Sequence, residues 1–351
     1  MISLDDMIDT PLAYFRLLSF FLIWSACSEL PGEMPMSTAS ECVIIAHRGA
    51  SGYLPEHTLE AKALAHGLHA DYLEQDVVLT SDNVPIVLHD IHLDTISDVA
   101  EQFPDRARSD GRYYAIDFTL DEIRTLTVSE RFHHRTKAAV FPSRFPAHTG
   151  RFRIPTLAEE IEFIHGLNKS TGRTAGIYPE IKQPRFHREQ GKDISVIVLE
   201  VLAKSGFETK DAPCYLQCFD QEELQRIRNE LGCRLRMIQL LEGDWLSDVP
   251  ETEIPNVLSS RLVGICEYAD GIGPSLALIF QENQQGEMVD QHGLVEAAHQ
   301  AGMLVHPWTA RADGLPRGFE SFESLHEACR NVRIDGIFSD FPDRSRELMR
   351  R

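Results

Sequence analysis

From residue 43 to residue 340 the chain alternates short apolar runs with amphipathic segments, and one link in that alternation is too short to hold a helix. The runs are VIIAHRG (43–49), YLEQDVVLT (72–80), PIVLHD (85–90), GIYPEIK (176–182), CYLQCF (214–219), RMIQLL (236–241), DGIGPS (270–275), LVHPWT (304–309) and GIFSD (336–340). Between them, segments such as TLEAKALAHGLHA, DISVIVLEVLAKSGF and DQEELQRIRNELG repeat apolar residues at intervals of three and four. Strands joined by crossover helices give this pattern, so the chain reads as a β/α protein with a parallel sheet. The tight TSDN turn separates the second run from the third and leaves no room for a crossover, which makes those two an antiparallel hairpin. Counting the hairpin once leaves eight strands, the number of a TIM (β/α)8 barrel of the usual ~250 residues carrying an insertion.

The insertion is expected at about 91–155, a stretch rich in aromatic and charged residues and poor in strand alternation. It reads as a small, mostly helical excursion that partly roofs the barrel mouth. The barrel itself is expected over 42–345, preceded at 1–41 by an export signal and linker: LLSFFLIWSACS (17–28) is too short for a membrane span and matches a signal-peptide core. The segment SAC ending at Cys27 also has the form of a lipoprotein processing site, against an unusually acidic front end. The expected location is the periplasm or cell envelope, with no transmembrane span in the mature protein.

A formal net charge of -20, with no dense Lys/Arg block, argues against a nucleic-acid partner. An anionic substrate must therefore meet a local basic pocket or a metal ion. The seven cysteines include no C-x-x-C, which disfavours a zinc ribbon, and Cys214 and Cys218 read as core residues rather than a disulfide.

In a barrel of this kind the chemistry gathers at the carboxyl ends of the strands. Glu74 and Asp76, two apart in LEQD, project from one face while Gln75 points away; Glu180 and Lys182 repeat the device in YPEIK. Three carboxylates converging inside a barrel mouth repel one another unless a cation or protons neutralise them, and an all-oxygen set selects a hard ion, Ca²⁺ or Mg²⁺. His47 and His89 end two of the strands and suit an acid and a base. Arg48 offers a planar fork and Lys182 a point charge for phosphate oxygens, although Arg48 could equally form an internal salt bridge with Glu56. Gln217, Phe219, His306, Trp308 and Asp340 stand near other strand ends and are candidates for lining a substrate pocket, Trp308 foremost.

In order, AHRGASGYLPEHTLEA, YLEQDVVLT, VPIVLHD, YPEIK, YLQCFD, YADGIGP, VHPWT and DGIFSDFPD resemble the motifs of the glycerophosphodiester phosphodiesterases, most closely the bacterial periplasmic enzymes. The resemblance runs from about 43 to 343, and His57 in PEHT follows the periplasmic pattern where cytosolic relatives usually carry Asn. One departure is EGDWLSDVPETEIPN after the fifth barrel strand, which is shorter than the family's usual segment. The resemblance implies a TIM barrel with bound Ca²⁺, Mg²⁺ being the alternative ion. It implies hydrolysis of deacylated phospholipids such as glycerophosphocholine to sn-glycerol 3-phosphate and an alcohol. It makes Glu74, Asp76 and Glu180 metal ligands, His47 and His89 the acid/base pair, and Arg48 and Glu56 part of the phosphate and metal surroundings.

Without a Ser or Cys nucleophile motif, the paired histidines suit attack on phosphorus by a glycerol hydroxyl next to the ester, with a cyclic glycerophosphate opened later by water. Two rival readings are a related lipid phosphodiesterase acting on bilayers and a surface lipoprotein that binds a partner on a retained enzyme scaffold. The small-molecule diester is the expected partner, and the oligomeric state is left open, a dimer being the state to test.

Overall fold

The computed structural model describes residues 41–290 and 292–350. The export and lipidation readings, Cys27 among them, fall outside the described residues. In chain order the strands are β1 (Val43–Ala46), β2 (Tyr72–Leu79), β3 (Pro85–Val87), β4 (Gly176–Ile181), β5 (Tyr215–Cys218), β6 (Arg236–Leu241), β7 (Gly271–Pro274), β8 (Phe280–Glu282), β9 (Met288–Asp290), β10 (Leu304–Val305) and β11 (Gly336–Ser339).

Eight of them pair in parallel in the order β10-β7-β6-β5-β4-β2-β1-β11. The ring closes through the chain that follows β10: Asp335 N donates to Val305 O (3.0 Å), Phe338 N to Pro307 O (3.0 Å) and Ala310 N to Phe338 O (2.8 Å). The result is the (β/α)8 barrel that the alternation predicts. β3 stands off the ring and pairs antiparallel with β2, Val77 opposite Val87 and Leu79 opposite Pro85, as the short TSDN link requires. β8 and β9 form a separate two-stranded ribbon.

Two apolar layers result from strand alternation. Inside the barrel, Ile45, Tyr178, Tyr215, Ile238 and Phe338 pack together, with Tyr178 stacked on Tyr215 at 5.0 Å. His306 belongs to this interior, where its Nδ1 pairs with the Tyr178 hydroxyl at 2.9 Å, so it supports the floor of the mouth instead of lining a pocket. Outside, the other strand faces pack on the surrounding helices, and Cys214 and Cys218 are buried, unbridged members of that layer.

The insertion departs from expectation in one respect. Its helical content is a set of single turns, Val99–Gln102, Pro104–Arg106, Ala115–Asp117 and Leu120–Ile123, set in irregular chain. These turns are held by an apolar core of their own, in which Leu93, Phe118, Leu126 and Val128 pack against Val78, Ile86 and Leu88 of the hairpin. Its large apolar residues turn toward the hairpin, and none of the described residues that line the cleft belongs to it. Two of its arginines, Arg131 and Arg144, nevertheless reach the site.

Candidate active site

Strand register assembles the acidic group. Asp76 of β2 lies opposite Glu180 of β4, and Glu180 lies opposite Gln217 of β5, so three adjacent strands place these side chains in one row across the mouth. Glu74, two residues back, shares the Asp76 face. Gln75 points the other way, donating to Glu160 Oε1 (2.8 Å) and accepting from Tyr178 N (3.0 Å). One oxygen from each of Glu74, Asp76 and Glu180 lies within 4.8 Å of the others, and all three residues are buried.

The electrostatics of this row are unbalanced. Burial first, then repulsion by Asp76, pushes the Glu74 carboxyl well above the usual range. Burial also raises Glu180, to about 8, with Lys182 opposing. For Asp76, Lys182 and His57 outweigh burial and hold the carboxyl well below the usual range. Lys182 Nζ sits 2.9 Å from Glu180 Oε1 and 3.6 Å from Asp76 Oδ1, and His57 Nε2 is 2.7 Å from Asp76 Oδ2. Asp76 Oδ1 is buried without a hydrogen-bond partner. A convergent all-oxygen set with one oxygen unsatisfied fits a divalent cation.

The His-Arg-Gly triplet turns sharply above this row. Arg48 and Gly49 both take left-handed backbone, at φ 57° and 86°. The bend aims Arg48 N at Glu74 Oε2 (2.6 Å). At Gly49 a Cβ would lie 2.9 Å from the backbone carbon of Ala61, so glycine is required there. Thr58 caps the helix Leu59–Gly67 by accepting from Ala61 N. The Arg48 guanidinium pairs with Glu56 Oε2 at 3.0 Å and stands 3.6 Å from Asp76 Oδ2. Glu56 is also gripped by both ends of the Arg131 fork, at 3.0 and 2.5 Å, and lies outside the three-carboxylate group. The internal salt bridge and the position beside the acidic row thus hold together for Arg48.

His47 and His89 both face the cleft, and both are tied at Nδ1. The His47 nitrogen is 2.6 Å from Asp340 Oδ1 and the His89 nitrogen is 2.6 Å from Asp90 Oδ1. Both aspartates are held well below the usual range against burial, Asp340 by His47, Arg311 and Arg144, and Asp90 by His89 and Arg131. An ionised carboxylate only accepts, so Nδ1 carries the proton in each ring and Nε2 is left for chemistry. Burial, then Arg48, lowers both imidazoles to about 4, which makes them neutral at pH 7.

The cleft is lined on its other side by Gln217, Phe219, Trp308 and Thr309. Gln217 donates to Glu74 Oε1 (3.2 Å), and Trp308 meets Phe219 edge-on at 5.6 Å. Asp340, a pocket candidate from its strand-end position, is instead the carboxylate partner of His47. Asp90 is adjacent to His89 in sequence, and that adjacency was its available signal. His57, Arg131, Arg144 and Arg311 come from loops, where no periodicity singles them out.

The model of the glycerophosphoryl diester phosphodiesterase family matches residues 47–344. The chain belongs to that family. It is 44% identical over 348 residues to a glycerophosphodiester phosphodiesterase of Haemophilus influenzae, covering 93% of this chain and 95% of the relative. With the enzyme of the same description from Treponema pallidum it shares 37% identity, over 87% of this chain and 91% of the relative. Among solved structures, an Oleispira antarctica phosphodiesterase in complex with the product sn-glycerol 3-phosphate superposes with a TM-score of 0.59 at 22% identity, covering 88% of this chain and 97% of that one. A Thermotoga maritima glycerophosphodiester phosphodiesterase gives 0.53 at 19%, over 88% and 98%, and both likenesses bear on the fold. The family's reaction, hydrolysis of a glycerophosphodiester, is therefore the reaction of this chain. No described helix is long and apolar enough to cross a membrane.

Proposed function

We propose that this chain hydrolyses deacylated phospholipids such as glycerophosphocholine to sn-glycerol 3-phosphate and an alcohol, in a metal-dependent reaction run by His47 and His89. The observation that carries the reading is the pairing of these two imidazoles in one cleft, each fixed at Nδ1 by an ionised carboxylate, beside the acidic row and Arg48. Glu74, Asp76 and Glu180 would hold the ion, Ca²⁺ or alternatively Mg²⁺, which supplies polarisation of a phosphate oxygen and acidification of the adjacent glycerol hydroxyl.

The chain's own residues do the rest. Arg48 and Lys182 bind and orient the phosphate. One neutral imidazole takes the hydroxyl proton at Nε2 as the hydroxyl oxygen bonds to phosphorus; the other delivers a proton to the leaving alcohol oxygen as its bond to phosphorus breaks. The diester's negative charge offsets the effect of Arg48 on the imidazoles and favours the protonated form of the acid. Internal attack gains from high effective molarity and makes the rate depend little on which alcohol leaves. Water then opens the cyclic glycerophosphate with the roles reversed. Phe219 and Trp308 would form the apolar wall on which the rest of the substrate lies.

The periplasm or cell envelope fits the signal-like segment at 17–28, and a lipid at Cys27 is part of the same proposal. Turnover of glycerophosphocholine is to be compared with that of an analogue whose adjacent hydroxyl is replaced by hydrogen. The analogue should bind and fail to react; full-rate hydrolysis of it would exclude internal attack.

A further inference from the structure

We propose that the insertion supplies two positioning residues, Arg131 and Arg144, which hold the carboxylates that orient His89 and His47. The inference rests on the reading of those histidines as the acid/base pair. It assigns the 91–155 segment to the catalytic machinery, although among the described residues none of the cleft's lining comes from it.

The geometry is the same on both sides of the cleft. Asp340 Oδ1 takes His47 Nδ1, and its other oxygen takes Arg144 Nη2 at 2.6 Å. Asp90 Oδ1 takes His89 Nδ1, and its other oxygen takes Arg131 Nη1 at 2.7 Å. Each imidazole thus sits at the end of a His–Asp–Arg relay whose last member is carried by the insertion. Asp340 is buried and Asp90 half-buried, and such a carboxylate holds its charge and its place best when its second oxygen is also paired, which a planar guanidinium does with several bonds at once.

Every guanidinium nitrogen of both arginines is engaged within the protein. Besides Asp340, Arg144 forks Asp313 through Nε (2.8 Å) and Nη2 (3.0 Å) and donates from Nη1 to Ser51 O (3.2 Å). It therefore joins the loops that follow β1, β10 and β11. Arg131 forks Glu56, the partner of Arg48, with the two nitrogens that Asp90 leaves. Arg311, from the barrel itself, shares the outer Asp340 oxygen at 3.0 Å, so loss of Arg144 should loosen His47 without freeing it.

The test is steady-state hydrolysis of glycerophosphocholine by the full chain with Ca²⁺, for wild type, Arg144→Gln, Arg144→Lys, Arg144→Gly, Arg131→Gln, His47→Ala and His89→Ala, each with its melting temperature. Both Arg144→Gln and Arg144→Gly should lower kcat about ten- to a hundred-fold with KM within about two-fold, and Arg144→Lys should recover part of the loss. Millimolar methylguanidine should raise kcat of Arg144→Gly and leave wild type unchanged. Arg131→Gln should lower kcat and raise KM together, because Glu56 and Arg48 move with it. Wild-type kcat in folded Arg144→Gln and Arg131→Gln would overturn the inference, as would a loss that neither Lys nor methylguanidine restores. If His47→Ala and His89→Ala keep full activity, it is the histidine reading that fails. If Arg144→Gly does not fold, Arg144→Lys together with Asp313→Asn, which loosens Arg144 without touching Asp340, decides the matter by the same kcat criterion.

Discussion

Three buried carboxylates within 4.8 Å of one another are costly unless a cation or protons compensate them, and two of the three are pushed toward the protonated form. A bound divalent ion would replace those protons, and that exchange is visible in stability. For Glu180→Gln, which keeps the shape and removes the proton uptake that folding imposes on this buried carboxyl, the metal-free protein is expected to melt higher than metal-free wild type. The same variant should lose most of the melting-temperature rise that Ca²⁺ gives wild type. At a hundred-fold excess of ion over its dissociation constant that rise corresponds to about 2.7 kcal/mol, a few degrees for a chain of this size. Differential scanning calorimetry with and without Ca²⁺ checks both. A Glu180→Gln protein that responds to Ca²⁺ like wild type would remove this residue from the ligand set.

At the scale of elements, the acidic row is braced from behind by an ion pair between two helices. Lys62 on Leu59–Gly67 reaches Glu160 on Leu157–Thr171 at 2.6 Å, both fully buried, and the same ammonium donates to the backbone oxygen of Glu74. Breaking one member of such a pair leaves the other buried and uncompensated, so Lys62→Met should destabilise by about 3–5 kcal/mol in urea unfolding. Lys62→Met/Glu160→Gln should recover most of it. Equal destabilisation in the single and double variants would show that packing of the lysine stem, and not charge, is what matters. Elements with strict periodicity were readable in the sequence: the eight alternations, the hairpin forced by TSDN, and the Glu74–Asp76 and Glu180–Lys182 pairs. Each follows from a period of two, a period of 3.6 or a link length. Arg131 and Arg144 were not readable, since irregular chain carries no period and its contacts are fixed by long-range packing. For His306 the strand-end position suggested a pocket, but a two-residue strand and the Tyr178 hydroxyl turn it into the barrel.

For the whole molecule, histidines buried in neutral form tie folding to pH. Burial lowers His306 in the barrel and His326 in the helix Phe322–Asn331 from 6.5 to about 4, and both are hydrogen-bonded as neutral rings. The unfolded chain takes up these protons near pH 6.5 and the folded chain only near pH 4. Their contribution is therefore fully present above pH 6.5 and is lost as pH falls from 6.5 toward 4, on the order of 3 kcal/mol for each group. Urea midpoints should fall across that window, and His326→Gln should have a shallower fall than wild type. A fall in His326→Gln as steep as in wild type would contradict the assignment of a neutral buried ring there.

Hydrolysis of a glycerophosphodiester is the family's reaction; that this chain performs it with a divalent ion on Glu74, Asp76 and Glu180 is the central claim made for this site. The most direct measurement is release of sn-glycerol 3-phosphate from glycerophosphocholine by the purified chain, before and after chelation and again after Ca²⁺ is restored. The expected result is steady release, loss of at least about a hundred-fold in chelator, and recovery on adding Ca²⁺. Undiminished release in chelator by protein shown to be metal-free would contradict it.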